Sequence, residues 1–288
     1  MSAPSLPEQL VSIMVGSASL SINKCLFAPL DRVKLVLQLQ GGFSDKESFP
    51  KYRGIFKTFR SLVREQGFAS LWKGNLAHIL IYFPTQLANL AFLYSINPVV
   101  SALFYSNGEE KTINPIFYGL LATVIPLAAS HPFQVAWTKL ATDMSPAKQP
   151  AAMTNLFKDI YSSTGFKSFY NGFYTFLFGK LLFRPLQMGL YYGLQDKVLE
   201  KDSSLISVFL FSQSITIFTG LAVYPFDTVS RRLMLQAGSE QALTAFGITK
   251  QIFMNEGNIF GFYRGWMCIL LGSFINAGFL TVYDSLRR

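Results

Sequence analysis

Three basic residues interrupt stretches that are otherwise free of charge. Lys24 is the one charged residue between positions 9 and 30, and Lys180 and Arg184 are the two between positions 173 and 195. Counted along a helix from Gln9 at 1.5 Å per residue, Lys24 lies about 22 Å in. Lys180 and Arg184, four apart, share one face of a helix. A charge so placed needs water or a counter-ion. Three such cations converging on an aqueous cavity would draw an anion, such as a phosphate or a carboxylate. Arginine grips these groups with a planar fork, whereas lysine acts as a point charge. Phe183, next to Arg184, offers a ring on which a base can stack.

Little other chemistry is written into the chain. His78 and His131 stand isolated and are read as solvated or hydrogen-bonded side chains, not as ligands or bases. Cys25 and Cys268 are the two cysteines, both in apolar runs, so no disulfide framework or metal cluster is expected. No Ser/His/Asp set, Cys/His cluster or glycine-rich phosphate loop occurs. The chain is therefore not expected to be an enzyme, and no cofactor is implied.

The elements that must position the three cations follow from composition. Of 288 residues, 50% are hydrophobic and only 14% charged, against about 25% charged in soluble domains. No charge occurs between Gly74 and Gly108, from Thr112 to Thr138, from Ser203 to Phe226 or from Gly265 to Tyr283. Each run suffices for a membrane-spanning helix of about 20 residues. With 9–30 and 173–195 this predicts six spans and an all-α membrane protein. Lys46, Lys51, Arg53, Lys57, Arg60, Arg64 and Lys73 crowd the connector after the first span, and Lys139, Lys148, Lys158 and Lys167 the connector after the third. The opposite connectors, at 109–111 and 196–202, are short and slightly acidic. The positive-inside rule places the long connectors on the inner side and both termini on the other. The net charge of +9 is thus a topology and headgroup signal, not a nucleic-acid surface. No cleavable secretory signal or transit segment is expected, since no basic segment precedes the first apolar run.

A threefold repeat organises the spans. Pro29-Leu30-Asp31, Pro132-Phe133-Gln134 and Pro225-Phe226-Asp227 are each expected to end an odd-numbered span with a kink. Each is followed by a short amphipathic segment: Ile55, Phe56, Phe59, Leu62 and Val63 mark the first, and Met153, Leu156, Phe157, Ile160 and Tyr161 the second. Then come Gly67…Trp72-Lys73-Gly74, Gly165…Tyr170-Asn171-Gly172 and Gly257…Tyr263-Arg264-Gly265. The chain reads as one domain, 1–288, with repeats near 5–107, 108–200 and 201–288.

With these motifs the whole chain resembles the mitochondrial carrier family, whose repeat is Pro-x-acid-x-x-base followed by acid-Gly and aromatic-base-Gly. EQGFASLWKGNLAHILIYFPTQ (65–86) and YPFDTVSRRLMLQ (224–236) are most similar to the ADP/ATP carrier subfamily. The resemblance implies a six-helix bundle with pseudo-threefold symmetry in the mitochondrial inner membrane, both termini in the intermembrane space. It implies alternating access and cardiolipin at Gly74, Gly172 and Gly265.

It also implies two gates. On the matrix side the motif positions are Asp31 and Lys34, Gln134 and Trp137, and Asp227 and Ser230. Lys34–Asp227 remains an ion pair, Asp31 would face Trp137, and Gln134 would face Ser230. On the intermembrane-space side Asp196, Asp284 and Arg287 hold motif positions, with Asp196–Arg287 as the remaining pair, while Tyr94, Asn97 and Leu199 replace charges. Lys24, Asn89, Gly179, Arg184 and Arg231 match substrate positions. Ile81 and Leu271 stand where arginines are expected, Phe183 where a tyrosine is, and Lys180 where a small apolar residue is. Ser230-Arg231-Arg232-Leu233-Met234-Leu235 replaces a hexapeptide of three arginines and three methionines. Two functions follow. One is an ADP/ATP-carrier-like transporter of an anionic small molecule, nucleotide-like, with altered selectivity. The other is a transport-incompetent accessory subunit with a respiratory-complex partner.

Overall fold

The computed structural model describes residues 6–42, 52, 54–91, 115–144, 153–198, 205–239 and 241–272, and every regular element among them is helical. The first repeat runs α1 (Leu6–Leu39), a surface helix α2 (Ile55–Gln66), a 3-10 turn at Phe68–Trp72, α3 (Asn75–Leu80) and α4 (Tyr82–Ala91). The same order returns as α5 (Pro115–Thr142), α6 (Met153–Thr164), the turn Phe166–Tyr170 and α7 (Phe173–Val198). It returns again as α8 (Leu205–Leu235), α9 (Ala245–Asn255), the turn Asn258–Tyr263 and a helix at 267–272, where the described residues end. Among the described residues, Ile206–Leu235 is the one stretch long and apolar enough to cross a membrane by length and composition, with mean hydropathy 1.8. Lys180 and Arg184 lower the figure for α7, and the second and sixth expected spans run past the described residues.

The prolines do not end their helices. Pro29, Pro132 and Pro225 lie inside α1, α5 and α8, which each continue ten residues further, to Leu39, Thr142 and Leu235. Pro126 also lies within α5. Proline forfeits its own N–H and the bond it would make four residues back, so the ladder resumes on either side. The continued ends carry the core. Val33, Val36 and Leu37 of α1 pack with Leu62, Leu71 and Cys268. Leu35 and Leu39 of the same helix pack with Ala77, Ala136, Trp137 and Ala141. Val135, Phe169, Phe176 and Met234 join α5, α7 and α8, and α9 lays Ile248 and Ile252 on Val229 and Leu233. Of the amphipathic positions, Leu62 and Ile160 are buried, whereas Phe56 and Tyr161 are exposed.

Three glycines let the repeats close on one another. Gly74, Gly172 and Gly265 have φ of 78°, 80° and 81°, a left-handed conformation in which a β-carbon is disfavoured. A β-carbon there would also lie 2.9 Å from the Ala141 nitrogen, 2.6 Å from the Ser230 oxygen and 3.0 Å from the Lys34 oxygen. The same added β-carbons would lie 3.2, 2.9 and 3.4 Å from the β-carbons of Leu140, Leu233 and Leu37, each eight residues past its proline. Each repeat therefore seats its last span, backbone to backbone, on the odd-numbered helix of the next.

Cations tie the same helix ends together. Arg32, 1% exposed, donates to the Ala141 carbonyl at 2.9 Å, to the carbonyls of Ser70 and Asp143 and to Gln66. Lys139 donates to the Ala237 carbonyl, and Arg232 to that of Gln38 at 3.4 Å. The last carbonyls of a helix have no partner within it and sit at the negative end of its dipole. A cation from α1 thus serves the end of α5, one from α5 the end of α8, and one from α8 the end of α1. Glu256 fixes Arg232 in turn, with one oxygen at 2.8 Å, and takes Arg264 at 2.9 Å.

Candidate functional site

Beside this closed end α1, α3, α4, α5, α7 and α8 surround a cavity of about 340 Å³. Its charged lining is Lys24, Lys34, Lys180 and Arg231 against Asp31 and Asp227. Asp227 is the hub. Lys34 of α1 reaches its Oδ2 at 3.1 Å, Gln38 donates to the same oxygen at 3.1 Å, and Arg231 Nε stands 3.6 Å from Oδ1. Arg231 also donates to Gln134 and Thr138 of α5, both at 3.0 Å. Two cations therefore share one carboxylate.

Asp31 is used differently. It takes Lys24, seven residues earlier on its own helix, at 3.3 Å, and lies 3.8 Å from His78 Nδ1. The expected Asp31–Trp137 facing is replaced by a stack. His78 lies on the Trp137 ring at 3.8 Å and 12°, and the Arg231 guanidinium lies 4.5 Å from the same ring. Gln134 bonds to Arg231 instead of facing Ser230, whose hydroxyl donates to the Asp227 carbonyl at 2.9 Å. An apolar, delocalised contact thus occupies the α5 seam where the motif would place charge.

The three cations of the apolar runs are not brought together. Lys24 and Lys180 line the cavity, with Gly179 and Phe183, whereas Arg184 is exposed and Asn89 half-buried, both off the lining. Lys180 Nζ stands 5.3 Å from the Phe176 centroid, and the Arg231 guanidinium 5.7 Å from it. No carboxylate lies within 4 Å of Lys180 among the described residues. Asp196 is exposed in the last turn of α7. Asp284 and Arg287, with Tyr94, Asn97 and Leu199, lie outside the described residues.

Residues that reading the spans one at a time does not single out complete the site: His78, Tyr82 and Phe176 also line the cavity. His78 is not solvated. It is buried, and its Nδ1 has no hydrogen-bond partner among the described residues. His131 is fully buried, its Nδ1 at 2.9 Å from the Phe169 carbonyl. The sequence signal for His78 was present: it stands one turn past Gly74 on the helix that Gly74 seats against α5.

The arrangement sequesters an excess of positive charge in a pocket closed at one end, which suits an anion and offers no nucleophile–base pair. The family model described as mitochondrial carrier protein matches residues 7–101, 108–202 and 201–288. The ADP,ATP carrier protein of Chlamydomonas reinhardtii is 31% identical, over 96% of this chain and 93% of its own length. The ADP/ATP translocase 2 of Rattus norvegicus is 30% identical, over 96% and 95%. The ADP,ATP carrier protein of Schizosaccharomyces pombe is 30% identical, over 95% and 88%.

Proposed function

The chain belongs to the mitochondrial carrier family, and from that premise we propose that it moves an anionic solute across the mitochondrial inner membrane by alternating access. Its selectivity differs from that of the ADP/ATP carriers. The observation that carries this reading is the cavity lining, four cations against two carboxylates at a closed helix junction. Lys24, Lys180 and Arg231 hold the anion, Gly179 leaves room, and Phe183 supplies an aromatic wall. Asn89 and Arg184 contact it further along its path. Asp31, Lys34 and Asp227 form the matrix gate, and Asp196, Asp284 and Arg287 the gate toward the intermembrane space, where both termini lie. Cardiolipin headgroups sit at the helix starts after Gly74, Gly172 and Gly265, where free N–H groups favour phosphate.

Shared cations couple binding to opening. Lys24, Lys34 and Arg231 satisfy Asp31 and Asp227 in the closed state. An anion that takes their charge weakens these bonds, so the ligand favours the state in which they are broken. The test is exchange in cardiolipin-containing liposomes across nucleotides, phosphate and carboxylates. Saturable uptake that Lys24→Ala lowers by about tenfold, the scale of one charge-assisted hydrogen bond, is expected. Absence of saturable uptake overturns the reading.

A second reading, an accessory subunit of a respiratory complex, is favoured by one observation. α5 contributes no ionised group to the cavity lining, and Asp31 is paired within its own helix. On native gels of solubilised mitochondria such a subunit co-migrates with a large complex, and a carrier runs alone.

A further inference from the structure

The face that α7 turns to the cavity is Phe176, Lys180 and Phe183, at helical spacing. Gly179, also on the lining, adds no side chain, and a β-carbon there would press on Phe226 at 3.2 Å. Lys180 is exposed to the cavity, with no carboxylate within 4 Å among the described residues. Two of the aromatic faces around it are in use. Phe176 carries Lys180 and Arg231, and Trp137 carries Arg231 and His78. A neutral base stacking on either ring must displace a cation, and it leaves the ammonium facing a group with no charge to offset it.

The formal balance points the same way. Asp31 answers Lys24, and Asp227 is shared by Lys34 and Arg231. That leaves Lys180 and one further cation unmatched. Both Lys180 and Arg231 lie over the single Phe176 ring, so the surplus is compact and amounts to two charges. A nucleoside di- or triphosphate brings more negative charge than this, and a purine that finds the Phe176 and Trp137 rings taken.

Building on the transport reading, we infer that the substrate is a compact, oxygen-rich dianion without a purine base, and that Lys180 is the residue that selects it. Such an anion spans the Lys180 ammonium and the Arg231 guanidinium, each favouring carboxylate or phosphate oxygens. Inorganic phosphate and a short dicarboxylate share this chemistry.

The experiment uses the full chain in cardiolipin-containing liposomes, loaded and challenged with inorganic phosphate, succinate, ADP or ATP. Wild type should take up phosphate or succinate saturably, with ADP a poor competitor. Lys180→Ala, and Lys180→Gln which keeps the length and loses the charge, should raise the half-saturating dianion concentration about tenfold or more. Lys180→Arg should restore it. Unfolding temperatures in detergent matching wild type show that the variants are folded. Phosphate uptake that succinate does not inhibit assigns the phosphate member, the converse the dicarboxylate, and either supports the inference. ADP exchange at lower half-saturation than both dianions overturns it and leaves transport standing. So does dianion uptake indifferent to Lys180→Gln. No saturable uptake of any of the four overturns the transport reading together with it.

Discussion

The closed end is held by two unlike seams. Between α1 and α8 the bonds are ionic. Lys34 and Gln38 reach Asp227 across the seam, and Arg232, locked by Glu256, reaches the Gln38 carbonyl. Along α5 the motif carboxylate is absent: Trp137 lies against His78 and Arg231, Gln134 and Thr138 accept from Arg231, and Leu140 packs at Gly74, while one ion pair, Lys73–Asp143 at 3.1 Å, sits just past the helix end. The difference teaches that the threefold motif can lose its charges in one repeat and keep its closure. The glycine–leucine seats and the carbonyl-capping cations do not depend on the acid–base pairs, and they persist around all three junctions.

That comparison is breakable. The largest effect is expected at the α5 seam. Trp137→Ala removes a buried ring and its stacking partners and should destabilise the fold by about 3–5 kcal/mol, read as a fall in the thermal unfolding midpoint in detergent. If it is harmless, packing has not replaced charge there. Asp227→Asn should cost about 2–3 kcal/mol. That is below the range for a fully buried pair, because both partners retain 22% exposure. Lys139→Met deprives the Ala237 carbonyl of its cation and should cost about 1–2 kcal/mol. A loss at least as large for Arg232→Met, which removes the cation serving the end of α1, would extend the capping scheme around the ring. Asp31→Asn is expected to change stability least, by roughly 0–1 kcal/mol, since its lysine is on the same helix and both are partly exposed. A loss as large as that of Asp227→Asn would show that Asp31 binds across the junction after all.

Much of the architecture was legible in the sequence, for physical reasons. Three prolines, three glycine–aromatic–glycine clusters and charge-free runs report on backbone and solvent, and these act locally. The Lys34–Asp227 pair was also legible, through the resemblance to the carrier repeat, as the base of the first motif and the acid of the third. The rest was hidden by the nature of the partners. The acceptors for Arg32, Lys139 and Arg232 include backbone carbonyls, which carry no residue identity. The His78–Trp137 stack joins helices from two repeats, so neither residue announces the other. Asp31 turned to Lys24 because seven residues are two turns, which places both on one face of α1. Arg184 stands one turn beyond Lys180 on the same face, past the reach of the cavity lining.

The claim that the Lys34–Asp227 bond is a gate in a working carrier has a direct measurement. It is anion exchange in liposomes by Lys34→Asp, Asp227→Lys and the double variant carrying both. Each single change places like charges on the two sides of the former 3.1 Å bond and should reduce saturable uptake by about tenfold or more. The double variant should recover most of it. Single variants as active as wild type, or a double variant no better than either, would contradict the account.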